Sequence, residues 1–179
     1  MARSAAQIAL EHGTSQLTVA AIAEGAGVST RTFHNYFPSR EEALLFFIIE
    51  QVERLAEEIE HLPQGLGLLE ISERLTIITL DADGPARLPH LFRLSEMLRE
   101  KEPGREYGDA EEILRPLITA LMPRAHKLGF RSDDLTLAVR LVAGAIAFAL
   151  QRYEDLPHPR DPEMGEFMIH NALGVIRRL

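Results

Sequence analysis

The sequence lacks the features that mark secreted and membrane-spanning proteins. Its 179 residues include no cysteine, which excludes a disulfide framework and a cysteine-based zinc site. The longest apolar run, Leu141 to Leu150, is too short to cross a bilayer. The N-terminus does not have the layout of a signal peptide. We therefore predict a cytoplasmic protein that does not enter a membrane.

Motifs of common catalytic and metal sites are also missing. Gly65 and Gly67 begin like a dinucleotide-binding loop, but the third glycine and a preceding strand are absent. Glu58 and His61 have the spacing of one di-iron ligand pair, yet no second Glu-x-x-His occurs. No H-E-x-x-H or G-x-S-x-G motif is present. We predict no catalytic residue, no metal site and no cofactor, and an enzyme is the weaker hypothesis.

What the sequence does contain is a pattern of two short helices joined by a tight turn, from Leu17 to Phe37. Thr18 is a plausible N-cap of the first helix, because its hydroxyl can accept from a free backbone N–H. Gly25 and Gly27 give the backbone the freedom for a sharp reversal. Ser29 is a plausible N-cap of the second helix. A helix-turn-helix is the structure that this spacing favours.

The second helix of this pair has an unusual outer surface. Phe33 and Phe37 share one face and are predicted to point inward, together with Ile22 of the first helix. The remaining positions carry short hydrogen-bonding groups rather than the residues that favour exposed helices: Thr30, Arg31, Thr32, His34, Asn35 and Tyr36. Such a surface suits a helix that touches base edges and phosphates in a major groove. The alternative is an ordinary amphipathic helix hairpin.

These residues belong to a longer pattern that resembles a known family. The segment from about Ser4 to Leu45 is similar to the DNA-binding domain of the TetR family of transcriptional repressors. The matching residues are Thr18-Val19, Ile22-Ala23, Gly25-Ala26-Gly27-Val28-Ser29, Thr32-Phe33, Tyr36-Phe37-Pro38-Ser39-Arg40 and Glu42-Ala43-Leu44. The pattern covers about a quarter of the chain, and the length and helical remainder also look like that family.

The resemblance implies which residues face DNA. The predicted DNA-binding residues are Thr18, Ser29, Thr30, Arg31, Thr32, His34, Asn35, Tyr36 and Arg40. Of these, Thr18, Tyr36 and Arg40 are expected to hold phosphates. Arg31 is the leading candidate for reading guanine, because its guanidinium presents a fork of donors. For His34, DNA contact is favoured over a solvated surface position.

The rest of the chain is predicted to be helical, which gives an all-α fold with two domains. Residues 1–45 form the three-helix DNA-binding domain, and residues 46–179 form the effector-binding and dimerisation domain. Ser39 and Glu42 make a capping box for a long helix over residues 41–60, which spans both domains. Further helices are expected at 68–80, 87–101, 109–128, 132–154 and 161–178, with Ser132 capping the fourth of these. Residues 81–85 and 102–108 are expected to connect them, and Pro116 and Pro123 to kink or break one helix.

The last two predicted helices allow two interpretations. Small residues along 132–154 would let another helix approach closely, and 161–178 has a broad apolar side. These stripes could be intramolecular core. The resemblance instead implies a homodimer through 132–154 and 161–178, whose two-fold symmetry suits a palindromic operator.

A small-molecule effector is the second partner that the resemblance implies. The pocket is predicted between the helices of residues 41–154, for a hydrophobic or amphipathic ligand that releases the protein from DNA. The candidate ligand-binding residues are Phe47, Phe92, Met97, Leu114, Ile118, Leu121 and Phe148, although plain core is the favoured interpretation of each.

The charge balance keeps a different function open. The net charge is −8, whereas residues 1–40 hold three arginines against two glutamates. A basic surface is typical of DNA-binding proteins. Here the first domain is nearly neutral and the second is acidic, so the electrostatic attraction to DNA would be weak. Together with the short segment before the first helix, this motivates the alternative of a helical ligand- or protein-interaction module that has lost specific DNA binding.

Overall fold

The computed structural model describes residues 1–80, 84–101, 110–127 and 129–178, and these residues form nine α-helices and one 3₁₀ turn. The helices are α1 (Ala2–His12), α2 (Val19–Gly25), α3 (Thr30–Tyr36), α4 (Arg40–His61), α5 (Leu68–Leu80), α6 (Leu88–Lys101), α7 (Ala110–Lys127), α8 (Ser132–Glu154) and α9 (Pro162–Ile176); the 3₁₀ turn is Gly84–Ala86. No strand occurs in these ranges. The predicted all-α fold is confirmed.

Side-chain caps fix where several helices begin. The Ser39 hydroxyl accepts from the Glu42 N–H at 3.1 Å, at the start of α4. The Asp161 carboxylate accepts from the Glu163 N–H at 3.0 Å, and Pro162 occupies the first turn of α9. The prediction for Ser132 is wrong. It is the first residue of α8, and Arg131 holds the N-cap position without a side-chain hydrogen bond.

The predicted break at Pro116 and Pro123 is also wrong, because α7 runs through both prolines, whereas the alternative of a kink stays a prediction. Each proline removes a backbone donor from the helix interior. We attribute the continuity to packing: α7 lies along α4 and against α8. The burial of Ile113, Ile118 and Leu121 on that side offsets the local cost.

The buried residues form three clusters along the molecule. The first joins α1, α2, α3 and the start of α4 with Leu91, Leu94 and Leu98 of α6. The second joins the end of α4 with α5, α7 and the start of α8. The third joins the end of α5 with α8 and α9. The first cluster also contains Ile113 of α7, so the N-terminal helices share their core with two helices of the larger domain, α6 and α7.

Two predicted connections touch residues outside the described ranges. The connection at 81–85 is described only at Gly84 and Pro85, within the 3₁₀ turn, and the one at 102–108 is not described. Within the described residues, none of the helices combines the length and the apolar character that a membrane crossing requires.

Candidate DNA-binding face and ligand cavity

The turn between α2 and α3 sets how these helices cross. The Thr18 hydroxyl accepts from the Ala21 N–H at 3.1 Å and so caps α2. Gly27 has a φ of +66°, a backbone conformation that favours glycine. The Val28 N–H donates to the Ala23 carbonyl at 2.9 Å, which closes the turn. The sequence signals that predicted this turn act here as expected.

The orientation of α3 follows from its cap and from one buried ring. The Ser29 hydroxyl accepts from the Thr32 N–H at 3.0 Å, and the two hydroxyl oxygens lie 2.8 Å apart. Phe33 is fully buried, with its ring centroid 5.6 Å from that of Phe37. Because Phe33 points into the core, the opposite side of α3 must face outward.

The outward side of α3 carries the predicted DNA-binding residues. Thr30, Arg31, His34, Asn35 and Tyr36 are exposed, and Tyr36 exposes 71% of its surface. Thr18 and Ser29 are also exposed, whereas Thr32 is half-buried. The structure therefore brings these side chains to one end of the molecule. Arg31 is the charged residue among those of α3.

Arg40 occupies a different environment from the other predicted residues. Its guanidinium donates to the Glu41 carboxylate at 2.7 Å and to the Leu17 carbonyl at 2.5 Å. Its side chain is 31% exposed. In this arrangement Arg40 connects the start of α4 to the segment before α2. Its predicted phosphate contact would therefore use one of the N–H donors that these two hydrogen bonds do not occupy.

A second feature is an apolar space enclosed by α4, α5, α6, α7 and α8, which we call the inner cavity. Its volume is about 100 Å³. The described residues on its wall carry no charge, and their polar groups are the hydroxyls of Ser72, Thr76 and Ser95. Thr76 donates to the Ser72 carbonyl at 2.7 Å, and Ser95 donates to the Leu91 carbonyl at 2.8 Å. Both oxygens retain the ability to accept a hydrogen bond.

Comparison with known proteins identifies the N-terminal helices. Residues 3–45 match the family model described as "Bacterial regulatory proteins, tetR family". Residues 3–45 are therefore similar to the N-terminal domain of TetR-family regulators. None of the curated proteins matches this chain.

Solved structures share the fold of this chain over nearly its whole length. Thermus thermophilus FadR, a TetR-family repressor solved in complex with lauroyl-CoA, is 24% identical with a TM-score of 0.63. The alignment covers 98% of this chain and 91% of FadR. A transcriptional regulator from Rhodococcus sp. Rha1 is 19% identical with a TM-score of 0.65, over 99% of this chain and 94% of that one.

The predicted ligand-binding residues do not lie together. Phe92, Leu114 and Leu121 line the inner cavity. The others lie elsewhere: Phe47 and Met97 pack in the first core cluster, Ile118 packs in the second, and Phe148 is exposed. The prediction missed the three hydroxyls of the wall. Ser72 and Thr76, four residues apart on the apolar side of α5, were the available signal.

The outer face of α8 and α9 is apolar and uncovered in the single chain. Exposed large side chains recur at helical spacing on both helices: Leu137, Leu141 and Phe148 on α8, and Met164, Phe167 and Val175 on α9. A groove of about 480 Å³ runs between the two helices, lined mainly by apolar atoms. Exposed apolar surface of this extent is typical of an interaction site.

Proposed function

We propose that this protein is a homodimeric repressor that binds a palindromic operator and is released by a small ligand. Residues 1–45 bind DNA, with Arg31 reading guanine and Thr18, Tyr36 and Arg40 at phosphates. Residues 46–179 bind the ligand and form the dimer. The observation that carries this proposal is the position of the inner cavity directly behind the DNA-binding domain.

Two helices connect the cavity to the DNA-binding domain. Ile48 and Val52 of α4 and Leu91 of α6 line the inner cavity, and the same three side chains belong to the first core cluster. That cluster also contains Phe33, which orients α3. A ligand that displaces these wall residues would therefore move the packing on which α3 rests.

The mechanism is a shift between two populations. Successive major grooves on one side of DNA lie about 34 Å apart, so a dimer must hold its two α3 helices at that spacing. A ligand that binds better to a state with another spacing lowers the operator affinity by the ratio of its two affinities.

The composition of the inner cavity supports a hydrophobic or amphipathic ligand. Its wall is aliphatic and aromatic apart from the three hydroxyls. T. thermophilus FadR, which shares the fold, was solved with the amphipathic ligand lauroyl-CoA. A volume of about 100 Å³ is below the roughly 300–1,000 Å³ of usual ligand sites. Ligand binding is therefore expected to enlarge the cavity, which is the displacement that the mechanism needs.

The outer face of α8 and α9 supports the dimer. Burying its six large apolar side chains against a second copy would remove them from water and add about 1.5–3 kcal/mol each at most. The groove between α8 and α9 offers space for side chains of the second copy. Two-fold symmetry about this face would place one α3 on each side, as a palindrome requires.

The test is a fluorescence-anisotropy titration with duplexes from the region upstream of the gene, at low and moderate salt. We expect saturable binding that exceeds binding to scrambled DNA, with two protomers per site. Arg31→Ala should weaken specific binding by about 1–3 kcal/mol, roughly 5- to 150-fold. Arg115→Ala is the matched control, because Arg115 is exposed on α7, far along the chain from α3.

Two results would reject the proposal. If Arg31→Ala bound the operator like the wild type, the assignment of Arg31 would be wrong. If no duplex were preferred at either salt concentration, the protein would not be an operator-binding repressor. The acidic balance of the chain would then favour the interaction module.

A further inference from the structure

A second apolar space adjoins the inner cavity at the end of the molecule away from α3. This space, which we call the outer pocket, has a volume of about 200 Å³. It lies between the segment before α5, the end of α7 and the start of α8, with Leu66, Leu135 and Ala138 on its wall. Phe130, which is 48% exposed, stands on its wall between α7 and α8.

Among the described residues, three aliphatic side chains stand on the walls of both spaces. Leu68, Ile71 and Leu121 line both the inner cavity and the outer pocket. Leu68 is half-buried, and none of the three makes a polar contact that would hold it in place. A change of rotamer at Leu68 or Leu121 would join the spaces without breaking a hydrogen bond. Together they reach the lower end of the usual range of ligand-site volumes.

The outer pocket differs from the inner cavity by one charge. Among the described residues that line the two spaces, Arg124 alone is charged. Its guanidinium donates to the Pro63 and Leu62 carbonyls at 2.9 Å each and also to the Ile59 carbonyl. These bonds use three of the five N–H donors of an arginine and fix the cation beside the pocket.

The two ends of this arrangement suit different chemical groups of a ligand. The inner end offers an uncharged wall with three hydroxyls, and the outer end offers a fixed cation. An anionic group would be costly in the inner cavity, where no described residue could neutralise it. Beside Arg124 the same group gains charge-assisted hydrogen bonds.

We propose that the inner cavity and the outer pocket form one channel for a linear aliphatic chain that ends in an anionic group. The chain passes between Leu68, Ile71 and Leu121 into the inner cavity, and the anion stays beside Arg124. The inference rests on the proposed ligand-binding function and names the class of ligand.

The experiment measures chain-length dependence by isothermal titration calorimetry with hexanoate, dodecanoate and dodecanol, below the concentrations at which they form micelles. Each additional buried methylene should tighten binding about fourfold. We therefore expect dodecanoate to bind wild-type protein at least about tenfold more tightly than hexanoate. Dodecanol should bind more weakly than dodecanoate, because it lacks the anion that Arg124 would meet.

Two substitutions on α8 separate the compartments. Ala138 lines the outer pocket alone, and Ala143 lines the inner cavity alone. We expect Ala143→Phe to remove the advantage of dodecanoate over hexanoate, because only the longer chain reaches the inner cavity. Ala138→Phe should weaken both, because the outer pocket holds the anionic end of each ligand. The comparison of ligands on wild-type protein remains decisive if either variant fails to fold.

Several outcomes would overturn the channel. Equal affinities for hexanoate and dodecanoate in the wild type would do so, as would an undiminished chain-length dependence in Ala143→Phe. Equal affinities for dodecanol and dodecanoate would contradict the position of the anion beside Arg124. Absence of binding by all three would reject the ligand class, whereas the operator titration tests the proposed function independently.

Discussion

The substitution Gly165→Ala tests how closely α9 approaches the rest of the protein. A Cβ atom at Gly165 would lie 2.8 Å from Leu80 Cδ2, and 3.2 and 3.3 Å from two atoms of the Tyr153 ring. Leu80 and Tyr153 are both buried, so neither can move aside freely. Overpacking of this kind costs about 1–3 kcal/mol. The higher helix propensity of alanine stabilises the helix by about 1 kcal/mol and offsets part of this cost.

The expected net effect is a loss of about 1 kcal/mol in the free energy of unfolding. Gly144→Ala is the matched control, because Gly144 lies within α8 and a Cβ there would meet no atom within 4 Å. That variant should gain about 1 kcal/mol. Urea unfolding at one fixed protein concentration measures both values. Equal stabilisation by the two substitutions would refute the close packing of α9 on Tyr153.

Three further predictions concern the ends of α4 and the surface of α8. Arg124→Ala should lower the free energy of unfolding by about 2 kcal/mol, because three carbonyls at the end of α4 lose a charged donor. In the same urea assay, the control Arg115→Ala should change the free energy of unfolding by less than about 0.5 kcal/mol. Ser39→Ala should cost about 1 kcal/mol through loss of the α4 cap, and Ser39→Asp should retain most of it; equal losses in thermal unfolding would contradict the capping role. Leu141→Glu should shift the proposed dimer to monomer in sedimentation velocity, whereas Ile78→Glu, at a similarly exposed residue of α5, should leave it intact.

Local signals made most of the helices predictable from the sequence. Thr18, Ser29, Ser39 and Asp161 each accept a backbone N–H at a helix start, because a short polar side chain at that position satisfies a donor that the helix leaves free. The same rule failed at Ser132. There the helix begins one residue earlier than the cap rule implies, and the Ser132 hydroxyl lies 3.7 Å from the Met122 sulfur.

Tertiary contacts decided what the local signals could not. Pro116 and Pro123 each disfavour a continuous helix, yet the packing of α7 along α4 keeps it whole. Which ligand candidates line the cavity could not be predicted either, because buried apolar residues look alike in sequence whether they face a cavity or a neighbouring side chain. Phe92 lines the cavity and Phe47 does not, although both lie on apolar helix faces.

The sharing of Ile48, Val52 and Leu91 between the cavity wall and the core beneath α3 constrains how such a regulator can be altered. Under the proposed function, a substitution at these positions that reshapes the cavity for a new ligand would also change how tightly the unliganded protein binds its operator. Mutational drift in effector choice should therefore concentrate on α5, α7 and α8, whose wall residues lie outside that core except for Ile113. A biosensor built from this protein should therefore be randomised first at those helices, because substitutions there should change the expression of the reporter without ligand the least.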